Sequence, residues 1–132
     1  MLDCRLFNKQ KDYSTMVEWY NKRNYRPVNI ESLSDFGFTV YKDSEAVCSM
    51  FLYPIPTCDW CMIRFPISNP DIEKSIRNEC MDFMFTVMFD TARKMGFKKI
   101  FCTTNNKSLE DRLLKFNLVP QNEKCEHYWG EL

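Results

Sequence analysis

The stretch from Asp71 to Leu118 most constrains what this chain can fold into, because it reads as helix, strand, helix with both helices marked at their ends. Ile72, Ile76, Cys80, Phe83, Met84, Val87, Met88, Ala92 and Met95 recur at helical spacing. Asn69-Pro70-Asp71 supplies a start, with an Asn cap, a Pro in the first turn and an acid at the positive end of the dipole. Arg93 and Lys94 fall in the last turn, and Gly96 provides a left-handed stop. Lys98–Thr103 is a short β-rich run. Asn106 or Ser108 then caps a second helix that ends near Phe116, and Ser108 with Asp111 has the form of a capping box. Asn117 follows where a left-handed residue is needed, since its short amide tolerates positive φ. Leu118 is placed to fold back on Leu113 or Leu114.

The chain before this stretch reads as strands and one helix. Cys4–Phe7 predicts a first strand. Asp12 predicts the cap of a helix running through Asn24, with Tyr13, Met16, Val17 and Tyr20 on one face. Arg26–Asp35 is irregular or holds one short helical turn. Phe36–Tyr41 alternates, Lys42-Asp43-Ser44-Glu45 reads as a hairpin turn, and Ala46–Tyr53 is apolar on both faces. A strand of that last kind implies a sheet covered on both sides. Trp60–Ile67 returns after the Pro54, Pro56 and Asp59 connection. With the long helix and Lys98–Thr103 it makes a right-handed parallel crossover. Lys124–Trp129 predicts a final strand. The 132 residues, 45% of them apolar, suit a single domain with a real core, 1–132.

Charge and cysteines exclude some functions. Eighteen acids balance eighteen bases, so no net field steers the protein to nucleic acid or to an anionic membrane. The N-terminus is not a signal peptide and no long apolar run is present, which places the chain in the cytoplasm. The seven cysteines are scattered, and Cys48, Cys80 and Cys102 lie in apolar runs, as reduced buried thiols do. Cys58-Asp59-Trp60-Cys61 lacks the further ligands that structural zinc needs, and no helix follows to activate a redox thiol, so no metal is expected. His127 is the sole histidine and the candidate catalytic base, although a lone histidine in an end strand is more often a half-exposed side chain. Lys74 and Arg77, near the start of the long helix, are placed to neutralise phosphate or to form a solvated face. The stripe of Met81, Met84, Met88 and Met95 reads as core filling. Trp19, Tyr25, Trp60 and Trp129 are candidates for an exposed partner surface.

The second half resembles the GNAT acyltransferase superfamily. There a long helix ends in Ala-Arg-x-x-Gly, as Ala92-Arg93-Lys94-Met95-Gly96 does here. A strand follows, and then Asn-x-x-Ala-x-x-Leu-Tyr-x-Lys-x-Gly-Phe. Asn106, Lys115, Asn117 and Leu118 take the Asn, Lys, Gly and Phe places, while Leu109, Arg112 and Leu113 stand for the Ala, Leu and Tyr. The resemblance implies a mixed, twisted α/β sheet with helices on both faces, acetyl-CoA as cofactor, and a cofactor contact at Asn106 beside its capping role. In such families the long helix opens with Arg/Gln-x-x-Gly-x-Gly/Ala, whose amides cradle the CoA pyrophosphate. Counting back from Gly96, those glycine places fall on Glu79 and Met81, which would repel and obstruct a phosphate. The resemblance therefore implies an acyltransferase-like protein with a degenerate site, binding acetyl-CoA with a Kd above roughly 0.1 mM or not at all. It equally implies a non-catalytic protein that keeps the fold and binds a protein partner, similar to small bacteriophage proteins of this kind. Such a protein would reside in the host cytoplasm or the virion.

Overall fold

The computed structural model describes residues 1–121 and 126–132. Five strands form one sheet in sequential order: β1 (Leu2–Leu6), β2 (Phe36–Lys42), β3 (Glu45–Pro54), β4 (Trp60–Ser68) and β5 (Lys99–Phe101). The first four pair antiparallel, and β4 pairs with β5 in parallel. Helix α1 (Lys9–Lys22) and a 3₁₀ turn at Ile30–Ser32 lie between β1 and β2. Helix α2 (Lys74–Lys94) makes the crossover to β5, and α3 (Lys107–Lys115) follows. This is the mixed sheet that the sequence predicts.

Both faces of the sheet are covered. Cys48, Met50 and Leu52 of β3 join Cys80, Met84, Phe85 and Met88 of α2 in one buried cluster. Phe51 faces the other way and packs with Met16, Trp19 and Tyr20 of α1 and with Phe7. Alternation along one strand thus supplies two cores. Gly37 is required opposite Phe51, since a Cβ there would meet its Cε1 at 2.4 Å. The β2–β3 hairpin turns through Asp43 (φ 49) and Ser44 (φ 69), the left-handed pair of a tight hairpin.

Several boundaries differ from the sequence reading. β1 begins at Leu2, two residues early. Helix α1 is capped by Asn8, whose side chain accepts from the amides of Gln10 and Lys11. Asp12 is not the cap: its carboxylate accepts from the Asn8 N–H at 2.7 Å, completing the cap from inside the helix. The helix ends at Lys22, and Asn24 turns the chain at φ 57. Asn69-Pro70-Asp71 forms a turn in which Asn69 Oδ1 accepts from the Asp71 N–H, and α2 starts only after Glu73. For α3 the cap is Asn106, accepting from the Leu109 N–H at 3.1 Å, whereas Asp111 pairs with Lys107 instead of closing a box on Ser108. Asn117 is left-handed at φ 67, and the Leu118 N–H reaches the Leu113 carbonyl.

Met84 and Met88 are fully buried and Met81 partly so, but Met95 is exposed at the helix end. Trp19 is a core residue, because it lies on the α1 face that meets Phe51. The strand predicted at Lys124–Trp129 falls partly on 122–125, outside the described residues; its described part, Glu126–Trp129, is in no strand. Tyr128 and Trp129 are 93% and 89% exposed. No helix among the described residues is long and apolar enough to cross a membrane.

Candidate functional site

β4 and β5 are paired over only three positions, Trp60 to Lys99, Cys61 to Ile100 and Met62 to Phe101. Beyond them the strands part. On the β3 side, one extra residue enters β4 between its pairings Phe51–Arg64 and Ser49–Ile67. The bulge places Phe65 at φ 57, a conformation an aromatic residue adopts only at a cost of about 1–3 kcal/mol, and such strain concentrates at functional sites. It also reverses the strand's faces. Ile63 packs in the α2 cluster and Ile67 in the α1 cluster, although residues four apart in a regular strand share a face.

The gap opens into a cleft of about 510 Å³. Its walls are β4 from Ile63 to Ser68, the end of α1, the first two turns of α2, the segment Cys102–Asn106 and the inner side of α3. Among the described residues, five cationic side chains line it, Arg23, Arg64, Lys74, Arg77 and Arg112, and no Asp or Glu does. Arg112 is neutralised by an ion pair with Asp82 and held by Asn78, donating to its carbonyl at 3.2 Å and to its Oδ1 at 3.0 Å. Arg23 donates to the carbonyl and hydroxyl oxygens of Ser68 at 3.1 and 2.8 Å, which fixes the guanidinium without neutralising it. Burial, and then the like charge of Arg77, lower the pKa of Arg23. The Nε of Arg77 is buried with no hydrogen-bond partner among the described residues. Burying such a donor unpaired costs on the order of 1–3 kcal/mol, which an anion in the cleft would recover.

The N-terminus of α2 adds to the same field. Its first-turn amides have no intrahelical acceptors, and Glu73 makes no side-chain cap to them. The dipole and the free N–H groups favour an anion there. The cleft is poor in groups that move protons. Among the described residues its lining includes no histidine and no carboxylate. The Cys102 thiol lines the cleft, and burial pushes its pKa up, so it stays protonated at neutral pH.

The structure brings together Asn106, Lys74 and Arg77, as the sequence reading placed them. Glu79 does not line the cleft. It lies in the second turn of α2, outside the cleft, and pairs with Lys42 of β2 at 2.6 Å. Met81 lines the cleft from the helix itself, so neither residue occupies the connection between β4 and α2. That connection is Asn69–Glu73, and counting from Gly96 misses it because α2 holds more residues than the count allows. His127 is exposed and does not line the cleft. Cys58 is exposed in the turn before β4 while Cys61 is buried in the strand, and no group of three or more metal-ligating residues occurs among the described residues. Sequence reasoning missed Arg23, Arg64 and Arg112. Arg23 sits at the end of another helix, about fifty residues before Arg77, and only the fold joins them.

The sheet order, the α2 crossover and the parting of β4 from β5 are those of the GNAT acetyltransferase fold. No protein-family model matches the chain, and no curated protein matches it by sequence. Solved structures do match. A predicted acetyltransferase from Clostridium acetobutylicum, determined with acetyl-CoA, superposes with a TM-score of 0.68 and 12% identity, over 97% of this chain and 96% of that one. A Trypanosoma brucei acetyltransferase matches with a TM-score of 0.64 and 12% identity, over 98% and 100%. N-acetylglutamate synthase from Neisseria gonorrhoeae, complexed with coenzyme A and N-acetyl-glutamate, matches with a TM-score of 0.63 and 12% identity, over 85% of this chain and only 27% of that one. At such identities the likeness establishes the fold.

Proposed function

We propose that this chain is an acyl-CoA-binding protein of the acyltransferase type, a single domain with a reduced catalytic apparatus. The cofactor phosphates lie against Arg77, Arg23 and Lys74 and the first-turn amides of α2, and the thioester arm enters between β4 and β5. The observation that carries this reading is the buried, unpartnered Nε of Arg77 beside the like charge of Arg23, in a cleft with no acid. The acetyl-CoA and coenzyme A complexes among the solved neighbours support the choice of anion. With Glu79 paired to Lys42 outside the cleft, the repulsion expected from it is absent, while Met81 still lines the cleft from the second turn of α2.

Transfer in this cleft rests on proximity. A neutral amine attacks the thioester carbonyl, a C–N bond forms, the C–S bond breaks, and the amine proton passes to the departing thiolate. No side chain lining the cleft is suited to take that proton from an ammonium at neutral pH, so turnover is slow. The same lack favours the second reading, a non-catalytic protein that keeps the fold and binds a partner, as small phage or virion proteins of this fold do. Calorimetry with acetyl-CoA tests the first reading. It should show micromolar binding, weakened about 10–100-fold in Arg77→Gln, the worth of a charge-assisted hydrogen bond. No heat at millimolar acetyl-CoA overturns it. Tight binding with no acetyl transfer to any of a panel of amines selects the second.

A further inference from the structure

Among the described residues two aromatic side chains line the cleft, Phe65 and Tyr25. They differ in what covers them. Phe65 packs in the α1 cluster, meets Tyr53 edge-on at 6.0 Å and has the Arg64 guanidinium 4.8 Å from its ring centre. Its ring is taken up by protein neighbours. Tyr25 is 51% exposed and packs in neither core cluster. Its ring is nonetheless held. Asn24, at φ 57, turns the chain after α1, and the Tyr25 N–H returns to the Tyr20 carbonyl at 2.9 Å. The buried Tyr20 ring meets it edge-on, with centroids 6.5 Å apart and planes at 69°. A ring fixed before binding loses little entropy when a flat molecule lies on it. Arg23 stands two residues before Tyr25 and also lines the cleft, so the turn at Asn24 delivers a cation and a half-exposed aromatic ring to the same cleft. A free phosphate would use the cations and leave the ring in water. An aromatic molecule without phosphate would use the ring and leave the Arg77 Nε unpaired. A phosphate joined to a planar base meets both.

We propose that Tyr25 is a stacking platform for a nucleobase, so that the cleft recognises its ligand as a nucleotide and not only as an anion. The inference rests on the acyl-CoA reading, in which the base is the adenine of the cofactor. Stacking needs the ring and not the phenol oxygen, because every base offers a π-face. Phe at this position therefore serves as well as Tyr, and Ala does not.

Calorimetry and NMR on the full chain with acetyl-CoA test it. Tyr25→Ala should weaken acetyl-CoA about tenfold, the worth of one stacked base, and Tyr25→Phe should bind as the parent does. In the parent complex, adenine H2 or H8 should give nuclear Overhauser contacts to the Tyr25 ring protons, which a merely structural role for Tyr25 would not produce. Three results overturn the inference and leave the acyl-CoA reading standing: acetyl-CoA binds without those contacts, Tyr25→Ala binds it as tightly as the parent, or Tyr25→Phe is as weak as Tyr25→Ala. Failure of the parent to bind acetyl-CoA at millimolar concentration overturns the reading and the inference together.

Discussion

The two concavities of this molecule rest on one sheet and differ in almost every respect. Among the described residues the cleft gathers five cations and no acid from four separate parts of the chain, while a hollow of about 350 Å³ on the α1 face over β2 and β3 gathers two acids, Asp12 and Glu45, and no cation. Eighteen acids and eighteen bases cancel over the chain, so net charge hides both. Like charges gather only where something holds them. In the cleft the holding is visible: Ser68 fixes Arg23, and Asn78 with Asp82 fixes Arg112. In the hollow Asp12 is fixed by its role in the α1 cap, and Glu45 opens β3 opposite Lys42 with no ion pair among the described residues. The cleft's cations are thus held in place before any ligand arrives, which lowers the entropy lost on binding, whereas only one of the hollow's two acids is held.

The largest expected effect separates the two through the core. Phe85 is fully buried, stacks on Phe116 at 5.4 Å and meets Phe89 edge-on, so it ties the end of α3 to α2. Phe85→Ala should cost about 3–5 kcal/mol in chemical denaturation. Native-state hydrogen exchange should show the cleft wall at α3 opening before the hollow. A cost under about 1 kcal/mol would mean that α3 is not docked as described.

A smaller effect acts on α3 from its other end. Asn117 at φ 67 lets the Leu118 N–H return to Leu113, the one buried residue of α3. Asn117→Val should cost about 1–2 kcal/mol, because a β-branched residue resists positive φ, and Asn117→Gly should be neutral or slightly stabilising. Acetyl-CoA affinity should fall in the Val variant. Equal melting temperatures for the Val variant and the parent would remove Asn117 from the helix stop.

How far each region could be read in the sequence follows from how local its causes are. The left-handed Asn117, the Asn106 cap and the Gly96 stop are settled within a few residues, and each was legible. So was the doubly covered sheet, because β3 is apolar on both faces. The connection between β4 and α2 was misplaced because its register was counted across a whole helix, and Asn69 begins a turn where a cap also fits the pattern. The cleft's charge was illegible for a different reason. Arg23, Arg64, Arg77 and Arg112 have nothing in common in sequence, and a β4 bulge that no local pattern announces shapes the site they share. Trp19 stands three residues after Met16, a helical spacing that already puts both on the face meeting Phe51.

The smallest effect bears on whether the sheet needs the hollow's polar floor. Thr39 and Ser49 are opposite one another on neighbouring strands and bonded only to each other through their side chains. Thr39→Val keeps the shape and strands the Ser49 hydroxyl in a buried place, at the cost of an unsatisfied polar group. Adding Ser49→Ala removes that group too. Replacing both partners of a buried hydrogen bond by apolar groups is close to neutral, so the double variant should lie within about 1 kcal/mol of the parent and be more stable than the Thr39→Val single variant. The strands keep their backbone pairing throughout, and the Val47 bulge beside them is untouched. If stability is nearly unchanged, the sheet does not need the hydroxyl pair. If instead the two substitutions add to a cost above about 2 kcal/mol, the pair is a structural clamp between β2 and β3, and the contrast between the two concavities reduces to charge alone.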